Sequence, residues 1–235
     1  ADLERRGIHV VTIDDERYPA AYRPKLGDLA PPILYAVGNL GLLQEPGIGI
    51  VGSRNVIPEG KEFAEEVARR AVAEGLPVVS GGARGVDQFA MNAAFMAGGS
   101  VVGVLADSLQ KKLQTSEMLG AIDAGSVCLV SQQIPSAGFT PASAMARNKL
   151  VYALTTTTVV VASDHERGGT WAGATEALKK QLSDVAVWMG GGGGPGNGPL
   201  ADLGARAVGS VSAVFDESVD LTKKVSSEPE QLRLA

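Results

Sequence analysis

The fold class is indicated by one segment, Val78-Val79-Ser80-Gly81-Gly82-Ala83-Arg84-Gly85-Val86-Asp87, because its pattern predicts a strand, a glycine loop and the start of a helix in succession. The run Val78–Ser80 lacks regular apolar–polar alternation, which is typical of a strand covered on both faces. Apolar residues then recur at helical spacing between Phe89 and Ala94, and Asp87 is predicted to cap this helix. A strand that feeds a helix in this way is half of a β–α–β unit.

Strands and helices alternate in the same manner along most of the chain. The predicted strands are Ile8–Ile13, Ile33–Ala36, Ile48–Val51, Val78–Ser80, Val101–Leu105, Val127–Val130, Val159–Ala162 and Val185–Trp188. Helices are predicted after Pro58 and Asp87, and at Lys111–Ala124, Pro141–Leu154, Gly169–Leu182 and Leu200–Gly204. Right-handed crossovers between such strands give a doubly wound, mostly parallel α/β sheet, and we predict that fold class.

Composition divides the chain into three parts. Residues 1–45 are rich in proline and are predicted to be an N-terminal extension packed on the main domain. Residues 46–215 are predicted to form the ligand-binding domain. Residues 216–235 are polar and acidic, and we expect them to form a flexible tail.

Several classes of protein are excluded by composition. Hydrophobic residues make up 45% of the 235 residues, which is typical of a globular protein. The single cysteine, Cys128, lies in an apolar run and predicts a buried thiol in a reducing compartment. Two distant histidines, His9 and His165, argue against a zinc site or a Ser-His-Asp hydrolase, so we predict no metal, no cofactor and no catalytic residue. Without a long apolar stretch or a signal-peptide pattern, we expect a cytoplasmic protein that does not bind membranes.

The net charge of −5 hides a gradient along the chain. Residues 81–180 hold eight basic and seven acidic side chains, and both flanking parts are acidic. An acidic total argues against indiscriminate coating of nucleic acid but permits a local basic groove. Any site for a polyanion is therefore expected in this middle part.

Three glycine-containing segments follow predicted strands, at the rim where sheets of this kind bind ligands. Amides freed by glycine form a nest for phosphate, and arginine adds a bidentate charged contact. Ordinary strand–helix turns and a solvated helix face are the structural alternatives. The predicted phosphate-binding residues are Gly52, Ser53 and Arg54; Ser80, Gly81, Gly82, Arg84 and Gly85; and Arg147, Asn148 and Lys149 with Gly168, Gly169 and Thr170.

Two phosphate-sized sites at neighbouring strand ends suit a nucleotide or a nucleic-acid backbone better than a single anion. Trp171 follows the last of these residues, and it either stacks on a base or packs against the core.

These segments, in this order, resemble the DNA-processing protein A (DprA/Smf) family. The similarity covers about residues 8–207. It rests on the lead-in Val11–Pro19 and Pro31–Asn39, on Ile50–Arg54, on Ser80–Asp87, on Arg147–Leu154 and on Gly196–Leu200 with Gly204-Ala205. The chain departs from the family pattern at Met91, where the family usually has histidine, and is identified as a divergent member without the C-terminal winged-helix domain.

The resemblance implies an extended Rossmann-like domain that binds single-stranded DNA and is not an enzyme. It also implies a homodimer that passes DNA to the recombinase RecA during natural transformation, with the basic and glycine positions above holding DNA phosphates.

Two other functions stay open. The phosphoribohydrolases of the lysine-decarboxylase-like type are similar at Arg147 and at Gly168-Gly169-Thr170, but their glutamate three residues after the threonine is Gly173 here. The nearest carboxylate, Glu176, lies one helical turn later. A domain that senses a nucleotide-derived signal in the same cleft is the third possibility.

Overall fold

The computed structural model describes residues 2–216, and within that range nine strands form one sheet. The strands are β1 (His9–Thr12), β2 (Ile33–Gly38), β3 (Gly47–Val51), β4 (Val78–Ser80), β5 (Val101–Leu105), β6 (Val127–Ser131), β7 (Thr155–Val160), β8 (Asp184–Trp188) and β9 (Arg206–Val208). The α-helices are α1 (Asp2–Arg5), α2 (Tyr22–Leu26), α3 (Pro58–Ala73), α4 (Val86–Met96), α5 (Leu109–Lys112), α6 (Ser116–Asp123), α7 (Pro141–Ala153), α8 (Gly168–Lys180), α9 (Asn197–Asp202) and α10 (Val211–Phe215).

The strand order is β1-β2-β6-β5-β4-β3-β7-β8-β9. The pairs β1–β2 and β2–β6 are antiparallel, and every other neighbouring pair is parallel. The prediction of a doubly wound, mostly parallel α/β sheet is therefore confirmed. From β3 the chain adds β4, β5 and β6 on one side and β7, β8 and β9 on the other. The topological switch point, at which open sheets bind ligands beyond the strand ends, thus lies between β3 and β7.

Two apolar cores cover the two faces of the sheet. One core lies beneath α7 and α8, and the other lies beneath α3 and α4. Residues of β5 alternate between them, since Val102 and Val104 join the first core and Val101 and Leu105 join the second. Burial on both faces explains why the central strands read as continuous apolar runs.

The bounds of several predicted elements were wrong, and one strand was not predicted. β7 begins at Thr155 rather than Val159, because its threonines are β-branched and pair with β3. The helix predicted at Lys111–Ala124 is two separate helices, α5 and α6. Thr115 is the N-cap of α6, and its hydroxyl accepts a hydrogen bond from the Met118 amide. The three-residue strand β9 was not predicted, because so short a run carries too little pattern.

Asn197 ties the carboxyl ends of β7 and β8 together. Its side chain accepts from the Ser163 amide at 2.9 Å and donates to the carbonyls of Val161 at 2.9 Å and Trp188 at 2.6 Å. α9 begins at this buried residue rather than at Leu200, so the glycine-rich stretch before it ends on a fixed anchor.

The N-terminal segment extends the sheet through β1 and β2. Its Tyr18 and Tyr22 are buried in the first core, and the Tyr18 hydroxyl donates to the Pro31 carbonyl at 2.7 Å. The predicted tail, residues 216–235, lies outside the described residues except for Asp216.

Candidate functional site

A cleft of about 680 Å³ opens beyond the carboxyl ends of β3 and β7. Four segments line it: the β3–α3 loop, the β4–α4 loop with the first turn of α4, one side of α7 along most of its length together with Phe139 before it, and the β7–α8 loop with the start of α8. The lining residues used below are Gly52, Ser53, Arg54, Asn55, Ala83, Asp87, Phe139, Ala144, Met145, Arg147, Asn148, Tyr152, Asp164, Arg167, Gly168, Gly169 and Thr170. The cleft thus occupies the switch point of the sheet.

The β4–α4 loop is shaped by two glycines in the left-handed region. Gly82 has φ = 66° and Gly85 has φ = 90°, and L side chains rarely adopt either conformation. A Cβ on Gly85 would also overlap the carbonyl of Ser53, so the two neighbouring loops pack backbone against backbone. This close approach explains the glycine at position 85.

The β4–α4 loop binds an anionic group of the protein itself, the carboxylate of Asp87. Gly85, not Asp87, occupies the N-cap of α4, so the predicted capping role of Asp87 was wrong. The Asp87 side chain instead turns back and accepts from the Ala83 amide at 3.3 Å. Burial raises the pKa of Asp87, while the Arg147 guanidinium and the amides of Ala83, Gly81 and Gly52 oppose that rise.

Arg147 is the counter-ion of Asp87. Its Nη1 lies 3.8 Å from Asp87 Oδ2 and donates to the Val104 carbonyl at 3.2 Å. A Cβ on Gly81 would overlap this guanidinium, so the glycine at 81 makes room for the arginine. Burial lowers the pKa of Arg147, and the Asp87 carboxylate opposes that shift. Arg147 therefore lines the cleft with a charge that is already paired.

Arg54 and Arg84 are the exposed arginines of the two adjoining loops. Arg84 Nη2 donates to Asn55 Oδ1 at 3.0 Å, which links the β4–α4 loop to the β3–α3 loop. Asn55 is held in turn, because its amide donates to the Ser53 hydroxyl at 3.1 Å. Within residues 2–216, neither Arg54 nor Arg84 forms an ion pair. Both charges are available to a ligand.

Arg54 lies over the ring of Phe139, with the guanidinium carbon 5.5 Å from the ring centroid. Phe139 precedes α7 at the mouth of the cleft and is 50% exposed. Phe139 was not predicted from the sequence, because an apolar residue just before a helix ordinarily indicates packing onto the helix rather than exposure.

The start of α8 also lines the cleft. Gly168 has φ = 76°, and the N-cap residue Arg167 makes no side-chain cap hydrogen bond. Asn148 Nδ2 donates to the Gly169 carbonyl at 2.9 Å, which ties α7 to this turn. Gly168, Gly169 and Thr170 thus line the cleft at a helix N-terminus whose first amides have no side-chain cap.

Several predicted residues lie outside the cleft lining, among them Gly81, Gly82, Arg84 and Gly85 of the β4–α4 loop. Ser80 is buried, and its hydroxyl donates to the Ile50 carbonyl at 2.6 Å. Lys149 is on α7 but does not line the cleft. Trp171 packs partly against the first core, edge-to-face with His165 at 5.0 Å. Glu176, the carboxylate considered for glycosidic cleavage, is ion-paired with Lys180 at 2.6 Å and is also absent from the lining.

Other lining residues were not predicted. Arg167 directly precedes the Gly168-Gly169 pair, so its position next to predicted phosphate ligands was an available signal. Asp164 and Met145 carried no such signal. Among the described residues no group of three or more His, Cys, Asp or Glu side chains could hold a metal ion. No helix in that part of the chain combines the length and apolarity that crossing a bilayer requires.

Comparison with known proteins points to one family. The family model for DNA recombination-mediator protein A matches residues 9–217. The DNA processing protein DprA of Bacillus subtilis is 29% identical over 233 residues, which cover 92% of this chain and 73% of that protein. An 80-residue part is 39% identical to the DNA processing protein DprA of Streptococcus pneumoniae and covers 28% of it.

Solved structures show the same relationship. The X-ray structure of DprA from Streptococcus pneumoniae has a TM-score of 0.77 at 26% identity and covers 92% of this chain and 77% of that one. DNA processing protein A from Helicobacter pylori, described for its single-stranded DNA binding mode, has a TM-score of 0.72 at 25% identity and covers 88% and 94%. A molybdenum cofactor carrier protein from Chlamydomonas reinhardtii shares the fold alone, with a TM-score of 0.52 at 22% identity.

Proposed function

The chain belongs to the DNA recombination-mediator protein A (DprA/Smf) family, and from that premise we propose that it binds single-stranded DNA without catalysing a reaction. The cleft between β3 and β7 holds phosphates of the strand. Sequence selectivity is low, because contacts to phosphate carry no sequence information.

The observation that carries the proposal is the projection of Arg54 and Arg84 from two adjoining loops joined through Asn55. The one buried acid of the cleft, Asp87, is already matched by Arg147. The exposed charged residues that line the cleft are two arginines, Arg54 and Arg167, and one acid, Asp164. The exposed Arg84 lies on the adjoining loop. A local cationic excess in an acidic protein favours a polyanion held at one place rather than general coating.

A second phosphate position is supported by the start of α8. Amides of an uncapped helix N-terminus donate hydrogen bonds to an anion, and the helix dipole favours its charge. Gly168 and Gly169 let the DNA strand approach the backbone of α8 closely, and Thr170 adds a hydroxyl donor. Arg54 and the start of α8 line the same cleft, which suits successive phosphates of one DNA strand.

Arg147 has a different role in this proposal from the one expected from the sequence. Its paired, buried charge positions the β4–α4 loop instead of neutralising a phosphate. Homodimerisation and delivery of DNA to RecA are part of the proposal through family membership. They rest on that resemblance rather than on a contact described above.

Titration of the full chain with labelled oligo-dT, at about 50 mM and about 200 mM salt, tests the proposal. We expect binding that weakens strongly as salt rises, because phosphate contacts release counterions. AMP and GMP at millimolar concentration should compete only weakly with oligo-dT for the protein. Tight nucleotide binding with no oligo-dT binding would overturn the proposal in favour of a nucleotide sensor, and release of free adenine from AMP would favour the phosphoribohydrolase.

A further inference from the structure

Phe139 is the one aromatic side chain among residues 2–216 that is classed with the exposed large hydrophobic residues, and it lies at the mouth of the cleft. The other Phe, Tyr and Trp side chains are buried or partly buried, and all of them fall within the described range. Because Phe139 is half exposed, part of its apolar surface contacts water, and removing that surface from water would be favourable. A ligand with an apolar, planar face would remove that area from water.

The backbone that directly follows Phe139 is held by hydrogen bonds. Thr140 is the N-cap of α7: its hydroxyl accepts from the Ser143 amide at 2.9 Å, and the Ser143 hydroxyl accepts from the Thr140 amide at 3.1 Å. This capping box and Pro141 at the first helical position hold the preceding residue in place. Phe139 is therefore presented on an ordered support.

A purely structural role does not account for the exposure. A residue before the N-cap commonly packs against the fourth residue of the helix, which here is the small Ala144. The Phe139 ring is instead covered by Arg54, whose guanidinium carbon lies 5.5 Å from the ring centroid. An aromatic ring and a cation that are adjacent at a cleft mouth match the two parts of a nucleotide, its base and its phosphate.

We propose that Phe139 is the base-stacking residue of this cleft and receives one unpaired nucleobase, while Arg54 binds the adjacent phosphate. The inference rests on the function proposed above and specifies it, because it requires a strand with exposed bases. It assigns stacking to Phe139 rather than to Trp171, which packs partly against the core. Stacking accepts any base, so it adds affinity without sequence selectivity.

The test compares oligo-dT with an oligomer of the same length made of abasic sites, using the full chain and its Phe139→Ala, Phe139→Leu and Phe139→Trp variants. Phe139→Ala and Phe139→Leu should weaken binding of oligo-dT by about fivefold or more and leave binding of the abasic oligomer unchanged. Phe139→Trp should bind oligo-dT as the unaltered protein does, with added indole fluorescence that the DNA quenches. Met96→Ala, at the 81% exposed end of α4, is the control and should change neither affinity.

Equal affinities of the unaltered protein and Phe139→Ala for oligo-dT, or an equal loss on both oligomers, would overturn the stacking role and leave the proposed function standing. Failure of the unaltered protein to bind either oligomer would overturn both. Phe139→Leu keeps an apolar side chain before α7, so its behaviour separates loss of the aromatic face from loss of helix packing.

Discussion

Arg147 Nη1 lies 3.8 Å from Asp87 Oδ2, and each of these side chains is only 8% exposed. The pair joins α7 to the first turn of α4, and the Asp87 carboxylate also interacts with the amides of Gly52, Gly81 and Ala83. One buried ion pair therefore sets the relative position of the two loops that carry Arg54 and Arg84. The Arg147–Asp87 pair thus contributes to the shape of the cleft, whereas the exposed Arg54 and Arg84 supply the positive charge for a ligand.

Asp87→Ala should lower the free energy of unfolding by about 3 kcal/mol, because it leaves the buried guanidinium of Arg147 without a partner. Urea unfolding monitored by circular dichroism measures the change. The double variant Asp87→Ala/Arg147→Met should lose less free energy of unfolding than the sum of the losses of Asp87→Ala and Arg147→Met, since it removes both charges together. Additive losses would show that the two side chains do not act as a pair.

Gly81→Ala should destabilise the protein by about 1–3 kcal/mol, because its Cβ would overlap the Arg147 guanidinium. Gly120→Ala in α6 is the matched control: no atom lies within 4 Å of the added Cβ, and we expect an unchanged or slightly raised melting temperature. In an Arg147→Met background, the cost of Gly81→Ala should fall. An equal cost in both backgrounds would contradict the close packing of Gly81 on Arg147.

Arg147→Met should lower stability but leave the salt dependence of DNA binding unchanged. The charge that it removes is neutralised by Asp87 and contacts no phosphate in the proposed function. Binding of oligo-dT at a series of salt concentrations, under conditions where the variant is folded, measures this slope. A slope reduced by about 0.7, which corresponds to one lost contact to single-stranded phosphate, would assign Arg147 to the DNA instead.

The Cys128 thiol should resist modification in the native state. It is buried in β6, and burial raises its pKa to about 12. Because the folded pKa exceeds the unfolded value, the stabilisation linked to this group is complete below pH 9 and is lost as the pH rises from about 9 towards 12. At pH 8, Ellman's reagent should react only after denaturant is added, whereas an exposed Ser136→Cys thiol should react at once. Rapid reaction of native Cys128 would show that β6 is accessible.

Much of the fold was predictable because its signals are local. The strands Val78–Ser80 and Val101–Leu105 match the structure in both bounds, since buried parallel strands read as short β-branched runs. The predicted start of β7, Val159, was too late, because Thr155 and the threonines after it are polar in sequence but pair with β3. The register between distant strands, which places β3 beside β7, has no local signal.

The candidate site was predictable at its backbone and less so at its side chains. Glycine loops after strands indicate an anion site, and the structure brings Gly52, Arg54 and Gly169 to one cleft. The partner of a charge cannot be seen in the sequence: the sequence predicts Arg147 as a phosphate-binding residue, and only the structure shows that it pairs with Asp87. The exposure of Phe139 depends on tertiary packing in the same way.

The decisive measurement is the salt dependence of oligo-dT binding by the double variant Arg54→Ala/Arg84→Ala. The matched control is Arg69→Ala/Arg70→Ala, which removes the same charge from the outer face of α3, where these arginines pair with Glu65 and Glu74. The plot of log affinity against log salt should become shallower by about 1.4 in the first double variant, about 0.7 for each lost phosphate contact, and stay unchanged in the control. Equal slopes in both double variants would contradict the claim that this cleft holds the DNA backbone.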